Sequence, residues 1–120
     1  MRKTLVLGAS SNPSRYSYLA VEKLKAHGHA VVAVGREHGS IGTTTIDTDF
    51  PKTHDIDTLT LYLNPERQKE VYADILALKP KRIIFNPGTE NPELEKLAQA
   101  NGIQTEEACT LVLLSTGQYE

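Results

Sequence analysis

Four short, largely apolar runs divide the chain, and each is followed by a segment rich in glycine, asparagine or proline. They cover residues 4–8, 30–34, 58–63 and 82–85. Apolar runs of this length, without strict alternation, are typical of strands in a parallel sheet that is covered on both faces. A shorter fifth strand is predicted over residues 103–107.

Amphipathic segments lie between these runs and predict helices. The first covers residues 13–27 and is expected to end in a left-handed cap at Gly28. The apolar positions that we expect to share one face of this helix are Tyr16, Leu19, Ala20 and Leu24.

Two further helices are predicted to begin at an asparagine cap followed by proline. Asn64-Pro65 opens the second helix and Asn91-Pro92 opens the third, which is expected to end at Gly102. The side chains expected to face the core are Val71, Ile75 and Leu78 in the second helix and Leu94, Leu97 and Ala98 in the third. A terminal helix over residues 110–114, stopped at Gly117, is also predicted.

The alternation of strands and helices predicts one domain over residues 1–120. The predicted fold is a doubly wound α/β sheet of about five parallel strands, with helices on both faces. Residues 36–55 have the least regular pattern, and within them residues 41–46 predict either a short strand or an extended segment. Ligands bind such sheets beyond the carboxyl ends of the strands, where the strand order reverses.

The loop that joins the first strand to the first helix is the main candidate for a ligand site. Its small residues, which leave room for a ligand beside the main chain, are Gly8, Ala9, Ser10 and Ser11. Asn12 is expected to cap the helix and Pro13 to occupy its first position. The loop amides and the helix N-terminus are then unpaired donors, which predicts an anion site, most often for phosphate. An ordinary strand–helix turn has a similar sequence. A branched side chain at Gly8 is expected to fill the phosphate site.

The loop departs from the dinucleotide-binding fingerprint. Only the first glycine of Gly-x-Gly-x-x-Gly is present, and Arg36 stands where an acidic residue would bind the ribose. Arg36 is instead placed for an extra phosphate on the adenosine ribose, unless it is a solvated surface arginine. NADP and coenzyme A (CoA) both carry such a phosphate, and these residues fit either ligand.

Composition narrows the classes of partner and chemistry. The net charge is −2, no basic stretch suggests nucleic acid, and no apolar run is long enough for a membrane span. The single cysteine excludes an internal disulfide, and the four histidines lack metal-ligand spacing. We expect a cytoplasmic protein without a metal site.

Several segments together carry a family resemblance. They are residues 8–16, 24–31, 61–65, 80–91 and 108–112, with Phe85-Asn86-Pro87-Gly88-Thr89-Glu90-Asn91 as the most specific run. They resemble the small, free-standing bacterial CoA-binding domain proteins, which are similar to the N-terminal CoA-binding domain of the succinyl-CoA synthetase alpha subunit. The resemblance implies a Rossmann-like fold and binding of CoA or an acyl-CoA.

The resemblance also implies roles for particular positions. The Gly8–Pro13 loop would hold the pyrophosphate, and Val34 and Arg36 would lie by the adenosine and its phosphate. Tyr62 would face the pantetheine arm, together with the turn formed by Phe85, Asn86, Pro87 and Gly88. Relatives often carry a lysine near the position of Arg36.

Three functional hypotheses follow. The first is a CoA-binding module without chemistry, because the catalytic histidine of the synthetase lies on a separate domain. The second is a small NADP-dependent or acyl-CoA enzyme, for which Glu90, Glu107 and Cys109 are the candidate acids, bases or nucleophile. Cys109 is otherwise a buried small hydrophobe. The third is a regulatory subunit whose protein partner supplies catalysis; a homo-oligomer is also compatible with the sequence.

Overall fold

Seven strands form one sheet in the computed structural model, which describes residues 1–120. In chain order they are β1 (Thr4–Leu7), β2 (Val31–Val34), β3 (Gly39–Ile41), β4 (Thr44–Asp47), β5 (Thr58–Leu61), β6 (Arg82–Phe85) and β7 (Gln104–Glu107). Across the sheet they lie in the order β3-β4-β2-β1-β5-β6-β7, and only the β3–β4 pair is antiparallel. The doubly wound fold is confirmed, but the sheet has seven strands rather than about five.

The two additional strands come from the stretch that appeared least regular in sequence. β3 and β4 form a hairpin in which Ile41 pairs with Thr44 and Gly42 has a φ of +58°. β4 continues the parallel sheet, with Ile46 beside Ala33 of β2. Only Ile41 and Ile46 bury large apolar side chains here, at 2% and 1% exposure. A strand with one buried apolar residue has too little alternation to be recognised from its sequence.

The first helix starts later than predicted. Helix α1 covers Tyr16–Ala26, and its N-cap is Arg15, which makes no side-chain capping bond. The expected cap at Asn12 and helical start at Pro13 are therefore wrong. The predicted buried face is also partly wrong, because Tyr16 and Leu19 are 71% and 41% exposed. The residues of α1 that are buried are Ser17, Ala20, Val21 and Leu24.

The other helices follow the sequence more closely. They are α2 (Pro65–Gln68), α3 (Tyr72–Leu78), α4 (Pro92–Ala100) and α5 (Thr110–Ser115), with a 3₁₀ turn over Lys69–Val71 between α2 and α3. The asparagine caps are confirmed, since Asn64 and Asn91 accept hydrogen bonds from the amides of Arg67 and Leu94. Leu97 is 36% exposed, so its predicted inward orientation is wrong.

Helices cover both faces of the sheet, and each face has its own core. In β1, Leu5 and Leu7 belong to the core that includes Ile75 of α3 and Leu94 of α4. Val6 points to the opposite core, which includes residues of α1 and α5. This alternation explains why the central strands are apolar on both faces. None of the helices has the length and apolar character needed to cross a membrane.

The order of the strands reverses at β1, which lies between β2 on one side and β5 on the other. The loops that leave the carboxyl ends of these strands therefore diverge to opposite sides of the β1 loop. A crevice opens at this point in doubly wound sheets. The residues that follow β1, β2, β5 and β6 form the rim of that crevice.

Gly35 provides a test of how tightly the β1 loop packs on β2. A Cβ on Gly35 would lie 2.2 Å from the carbonyl oxygen of Ala9, so a side chain there forces the loop to move. We expect Gly35→Ala to lower the free energy of unfolding by about 2 kcal/mol, as overpacking does. Thermal unfolding followed by circular dichroism measures the loss.

Gly102→Ala is the matched control. Gly102 has a φ of +75° but open space around its missing side chain, so only left-handed strain of about 1 kcal/mol is expected. Equal losses of stability for the two variants would contradict the close packing of the loop against Gly35.

Candidate ligand-binding site

The loop after β1 is fixed to the end of β2. The amides of Gly8 and Ala9 both donate to the carbonyl oxygen of Val34, at 2.9 and 3.0 Å. These two donors are therefore not available to a ligand, contrary to the expectation that all the loop amides are unpaired. The next two amides, those of Ser10 and Ser11, donate no hydrogen bond within the chain.

Asn12 closes a turn of its own instead of capping the helix. Its Oδ1 accepts from the amide of Ser14 at 3.0 Å and from the Ser14 hydroxyl at 2.8 Å. The Asn12 carbonyl oxygen accepts from the amide of Arg15 at 3.0 Å. Because of this turn, the helix starts three residues later than predicted. Arg15 is the N-cap instead of Asn12, and Tyr16 is the first helical residue instead of Pro13.

The first turn of α1 adds further donors beside the loop. The amides of Tyr16 and Ser17 have no acceptor within the chain, as is normal at a helix N-terminus. Ser17 is only 4% exposed, and its hydroxyl makes no hydrogen bond within the chain. The helix dipole adds partial positive charge at the same place.

A cavity of about 560 Å³ lies over these donors, and we call it the loop cavity. One wall contains Ser10, Ser11 and Ser17, and the opposite wall contains Tyr62, Leu63 and the turn Pro87–Thr89. Arg15 and Arg36 also line it, together with Glu37. Neither arginine forms an ion pair, so both are available to an anion.

A second cavity of about 780 Å³, the side groove, opens on the other side of Gly8. Gly8, Arg36 and Leu63 line both cavities, so the two adjoin, and we call them together the cleft. Its apolar part includes Phe50 and Val71, which pack partly buried against the core. The charged residues along it are the cations Arg36, Lys52 and Arg67 and the acidic residues Asp49, Glu70 and Asp74.

Most of the predicted site residues lie along this cleft. Those that line one or both cavities are Gly8, Ala9, Ser10, Ser11, Val34, Arg36, Tyr62, Pro87 and Gly88. Asn12 and Pro13 are exposed beside it and line neither cavity. Phe85 is fully buried in the core under α3 and α4, and it does not face the cleft.

Asn86 lies behind the cleft and fixes the loop after β6. It is 2% exposed, and its Nδ2 donates to the Thr60 hydroxyl at 2.7 Å and to the Leu61 carbonyl at 2.8 Å. Its Oδ1 accepts from the amide of Thr110 at 2.9 Å. A buried amide with this many partners holds the ends of β5 and β6 and the start of α5 in one arrangement.

Gly8 has a different constraint from the one expected from sequence. It has a φ of +96°, and a Cβ there would lie 2.9 Å from the carbonyl carbon of Tyr62. A larger residue at Gly8 therefore collides with the neighbouring loop and strains the backbone, rather than simply filling a phosphate site.

The candidate acids, bases and nucleophile are dispersed. Glu90 accepts a hydrogen bond from the Gly88 amide at 2.8 Å, and Glu107 is exposed at the end of β7. Cys109 is half-buried at the N-cap of α5 and lines neither cavity. No group of three histidine, cysteine or acidic side chains is arranged to hold a metal ion.

Sequence reasoning missed Arg15 and Ser17 as site residues. Both follow from the late start of α1, which makes Arg15 the N-cap and places Ser17 in the first turn of the helix. The sequence signal for the late start is Ser14, two positions after Asn12. Its amide and hydroxyl can bind the Asn12 side chain in a local turn, and that side chain is then not available to cap a helix.

The comparisons with known proteins agree with this fold. A crystal structure of an uncharacterized protein is 52% identical, matches with a TM-score of 0.96, and the alignment covers 99% of this chain and 98% of that one. A hypothetical protein from Pyrococcus horikoshii OT3 is 21% identical over 96% of this chain and 82% of its own, with a TM-score of 0.86. A Thermus thermophilus protein is 22% identical over 98% and 91%, with a TM-score of 0.82. No curated protein sequence matches.

The fold and the donor-lined crevice define a Rossmann-like α/β domain. The family model for the CoA-binding domain matches residues 2–115, which is nearly the whole chain. The chain therefore belongs to the CoA-binding domain family, as the sequence resemblance implied.

Tyr62 provides a prediction for the wall of the loop cavity. Its hydroxyl is buried without a hydrogen-bond partner, because the nearby hydroxyls of Thr60 and Thr110 bond to each other at 2.8 Å. Burial raises the pKa of Tyr62 well above its ordinary value, and Cys109 nearby adds to the rise. We expect Tyr62→Phe to change the free energy of unfolding at pH 7 by less than about 0.5 kcal/mol.

The raised pKa predicts a difference at high pH. Because folded Tyr62 keeps a proton that the unfolded chain loses above pH ~10, wild-type stability should fall there as pH rises. The free energy of unfolding should fall less between pH 7 and 10.5 for Tyr62→Phe than for wild type, as measured by urea unfolding at both pH values. Tyr119→Phe is the control at pH 7 only, because burial raises the pKa of Tyr119 as well; its hydroxyl bonds to Thr4, so we expect a loss of about 1 kcal/mol at that pH. Parallel pH profiles for wild type and Tyr62→Phe would contradict the assignment.

Proposed function

We propose that this protein binds CoA or an acyl-CoA along the cleft formed by the two adjoining cavities and that it carries out no chemistry on this ligand alone. The observation that carries the proposal is the group of unpaired donors at the switch point of the sheet. They are the amides of Ser10, Ser11, Tyr16 and Ser17 with the Ser17 hydroxyl. They occur in a chain of the CoA-binding domain family.

The donors of the loop cavity suit the pyrophosphate of CoA. Backbone amides at a helix N-terminus satisfy phosphate oxygens and place partial positive charge against them. Ser17 supports this role, because it lines the cavity and its hydroxyl has no partner within the chain that a phosphate oxygen would have to displace. Arg15 adds a formal positive charge at the rim.

Arg36 is suited to the phosphate on the adenosine ribose. It lies where the loop cavity meets the side groove, is exposed, and has no acidic partner within ion-pair distance. A guanidinium binds phosphate with two parallel hydrogen bonds. The apolar part of the side groove, with Phe50 and Val71, then accommodates the adenosine. The same arginine also fits the 2′-phosphate of NADP, so NADP remains the alternative ligand.

The pantetheine arm is assigned to the wall formed by Tyr62 and the Pro87–Gly88 turn. The chemistry of this wall argues against catalysis by the isolated chain. The Tyr62 hydroxyl is buried and its pKa is raised, so it stays protonated at neutral pH and cannot serve as a base. Cys109 does not line the cavity.

Thermal unfolding in the presence of CoA, dephospho-CoA, acetyl-CoA, NADP and NAD tests the proposal. A ligand at 100 times its Kd stabilises the folded state by about 2.7 kcal/mol. That raises the Tm by roughly 10 °C for a chain of this length. A shift with CoA but none with NADP supports the proposal, and a larger shift with NADP or none with CoA contradicts it.

Arg36→Ala tests the assignment of the ribose phosphate. We expect the variant to bind CoA about tenfold more weakly, because it loses a charge-assisted contact, and to bind dephospho-CoA nearly as well as wild type does. Isothermal titration calorimetry measures both affinities. Lys81→Ala, which removes an exposed cation at the opposite end of the sheet, is the control. Equal losses for the two ligands would remove Arg36 from this role.

A further inference from the structure

Gln68 is a buried amide behind the wall of the loop cavity. It lies at the end of α2 and is 0% exposed. Its Nε2 donates to the carbonyl oxygen of Leu63 at 2.8 Å and to that of Thr89 at 2.9 Å. Leu63 and Thr89 both line the cavity. One side chain therefore joins the loop after β5 to the loop after β6.

Asn91 fixes the orientation of this amide. Its Nδ2 donates to Gln68 Oε1 at 2.8 Å and to the Tyr72 hydroxyl at 2.8 Å. Its Oδ1 caps α4 by accepting from the Leu94 amide at 3.2 Å. Both amides thus use their side-chain donors and acceptors, and a rotated Gln68 amide would place its oxygen against two carbonyls. A fully satisfied buried network of this kind is rigid.

The turn that Gln68 holds has no side-chain packing of its own at Gly88. Nothing lies within 4 Å of the position that a Cβ on Gly88 would occupy, and its φ is +92°. Thr89 is tied back by its amide and hydroxyl, which both donate to the Asn86 carbonyl at 2.9 and 2.7 Å. The bond from Gln68 then fixes this turn relative to Leu63 on the other loop.

We propose that Gln68 is a positioning residue that holds the Pro87–Thr89 turn at the spacing needed for the pantetheine arm. This inference rests on the proposed function. The hydrogen bonds of Gln68 end at the wall opposite the Ser10–Ser11 donors, and none reaches Arg36. Thr89 lines only the loop cavity, whereas Leu63 lines both cavities, so the loss of Gln68 should weaken binding of the pantetheine arm more than binding of the nucleotide.

The decisive experiment compares two ligands on one variant. Gln68→Met keeps the length of the side chain but leaves the carbonyls of Leu63 and Thr89 without their donor. We expect its affinity for CoA to fall about tenfold, the equivalent of one lost buried hydrogen bond or slightly more. Its affinity for adenosine 3′-phosphate 5′-diphosphate, which is CoA without the pantetheine arm, should stay within about twofold of wild type. Calorimetric titration measures both.

Thr4→Val is the matched control. It removes buried hydrogen bonds to the Arg2 carbonyl and the Tyr119 hydroxyl, at the opposite end of the sheet. General loss of stability should leave the ratio of the two affinities unchanged in this variant. An unchanged ratio in Gln68→Met overturns the positioning role. Wild-type protein that binds neither ligand overturns the proposed function itself.

Gln68→Glu provides a second variant if Gln68→Met does not fold. At pH 8 its carboxylate faces two carbonyl oxygens, so the ratio of CoA affinity to nucleotide affinity should fall. At pH 5 a protonated carboxyl group can donate to one of those carbonyls, and the ratio should partly recover. Taking the ratio cancels the titration of the phosphates that both ligands share. A ratio that equals the wild-type value at both pH values overturns the inference.

Discussion

The binding face depends on one carbonyl oxygen, that of Val34, which accepts the amides of both Gly8 and Ala9. This double contact ends the pairing of β1 with β2 and turns the chain out of the sheet. This contact requires glycine at position 35, because the carbonyl oxygen of Ala9 occupies the space that a side chain at Gly35 would need. The amides that follow, those of Ser10 and Ser11, are consequently the first that find no acceptor. The unpaired donors of the cleft are thus a consequence of how the loop is anchored.

The two walls of the loop cavity differ in how their polar groups are satisfied. On the side of Tyr62 and Thr89, the buried amides of Asn86 and Gln68 donate to the carbonyl oxygens of Leu61 and Thr89 from behind, and the one polar group without a partner is the buried Tyr62 hydroxyl. On the side of Ser10 and Ser17, donors remain without partners. Unpaired buried donors are costly, whereas donors at a water-filled crevice are hydrated and can exchange water for a phosphate at little cost. The contrast between the walls supports the proposal that the phosphates bind on the side of Ser10 and Ser17 and the uncharged arm on the side of Tyr62.

Sequence patterns predicted the central strands and the asparagine-proline helix starts because those features are local. The runs around Leu5 and Ile83 are apolar on both faces, and Asn64 and Asn91 cap the helices that directly follow them. The failures have separate physical causes. Asn12 was expected to cap a helix, but its Oδ1 instead accepts hydrogen bonds from the amide and hydroxyl of Ser14. The family resemblance placed Phe85 at the cleft, but side chains alternate between the two faces of β6 and that of Phe85 points into the core.

The β3–β4 hairpin shows why the site could not be completed from sequence. Its strands carry few apolar residues, yet Gly39 lies against Ser11, where a Cβ would come within 3.3 Å of the serine Cβ. The amide of Gly35 donates a hydrogen bond to the carbonyl oxygen of Asp47 at 2.8 Å. The segment that carries Arg36 is therefore anchored at both ends, by β4 at Gly35 and by the hairpin at Gly39. A cation on a short segment with fixed ends loses less conformational freedom on binding a phosphate than one on a long loop. This anchoring gives Arg36 a defined position at the junction of the two cavities.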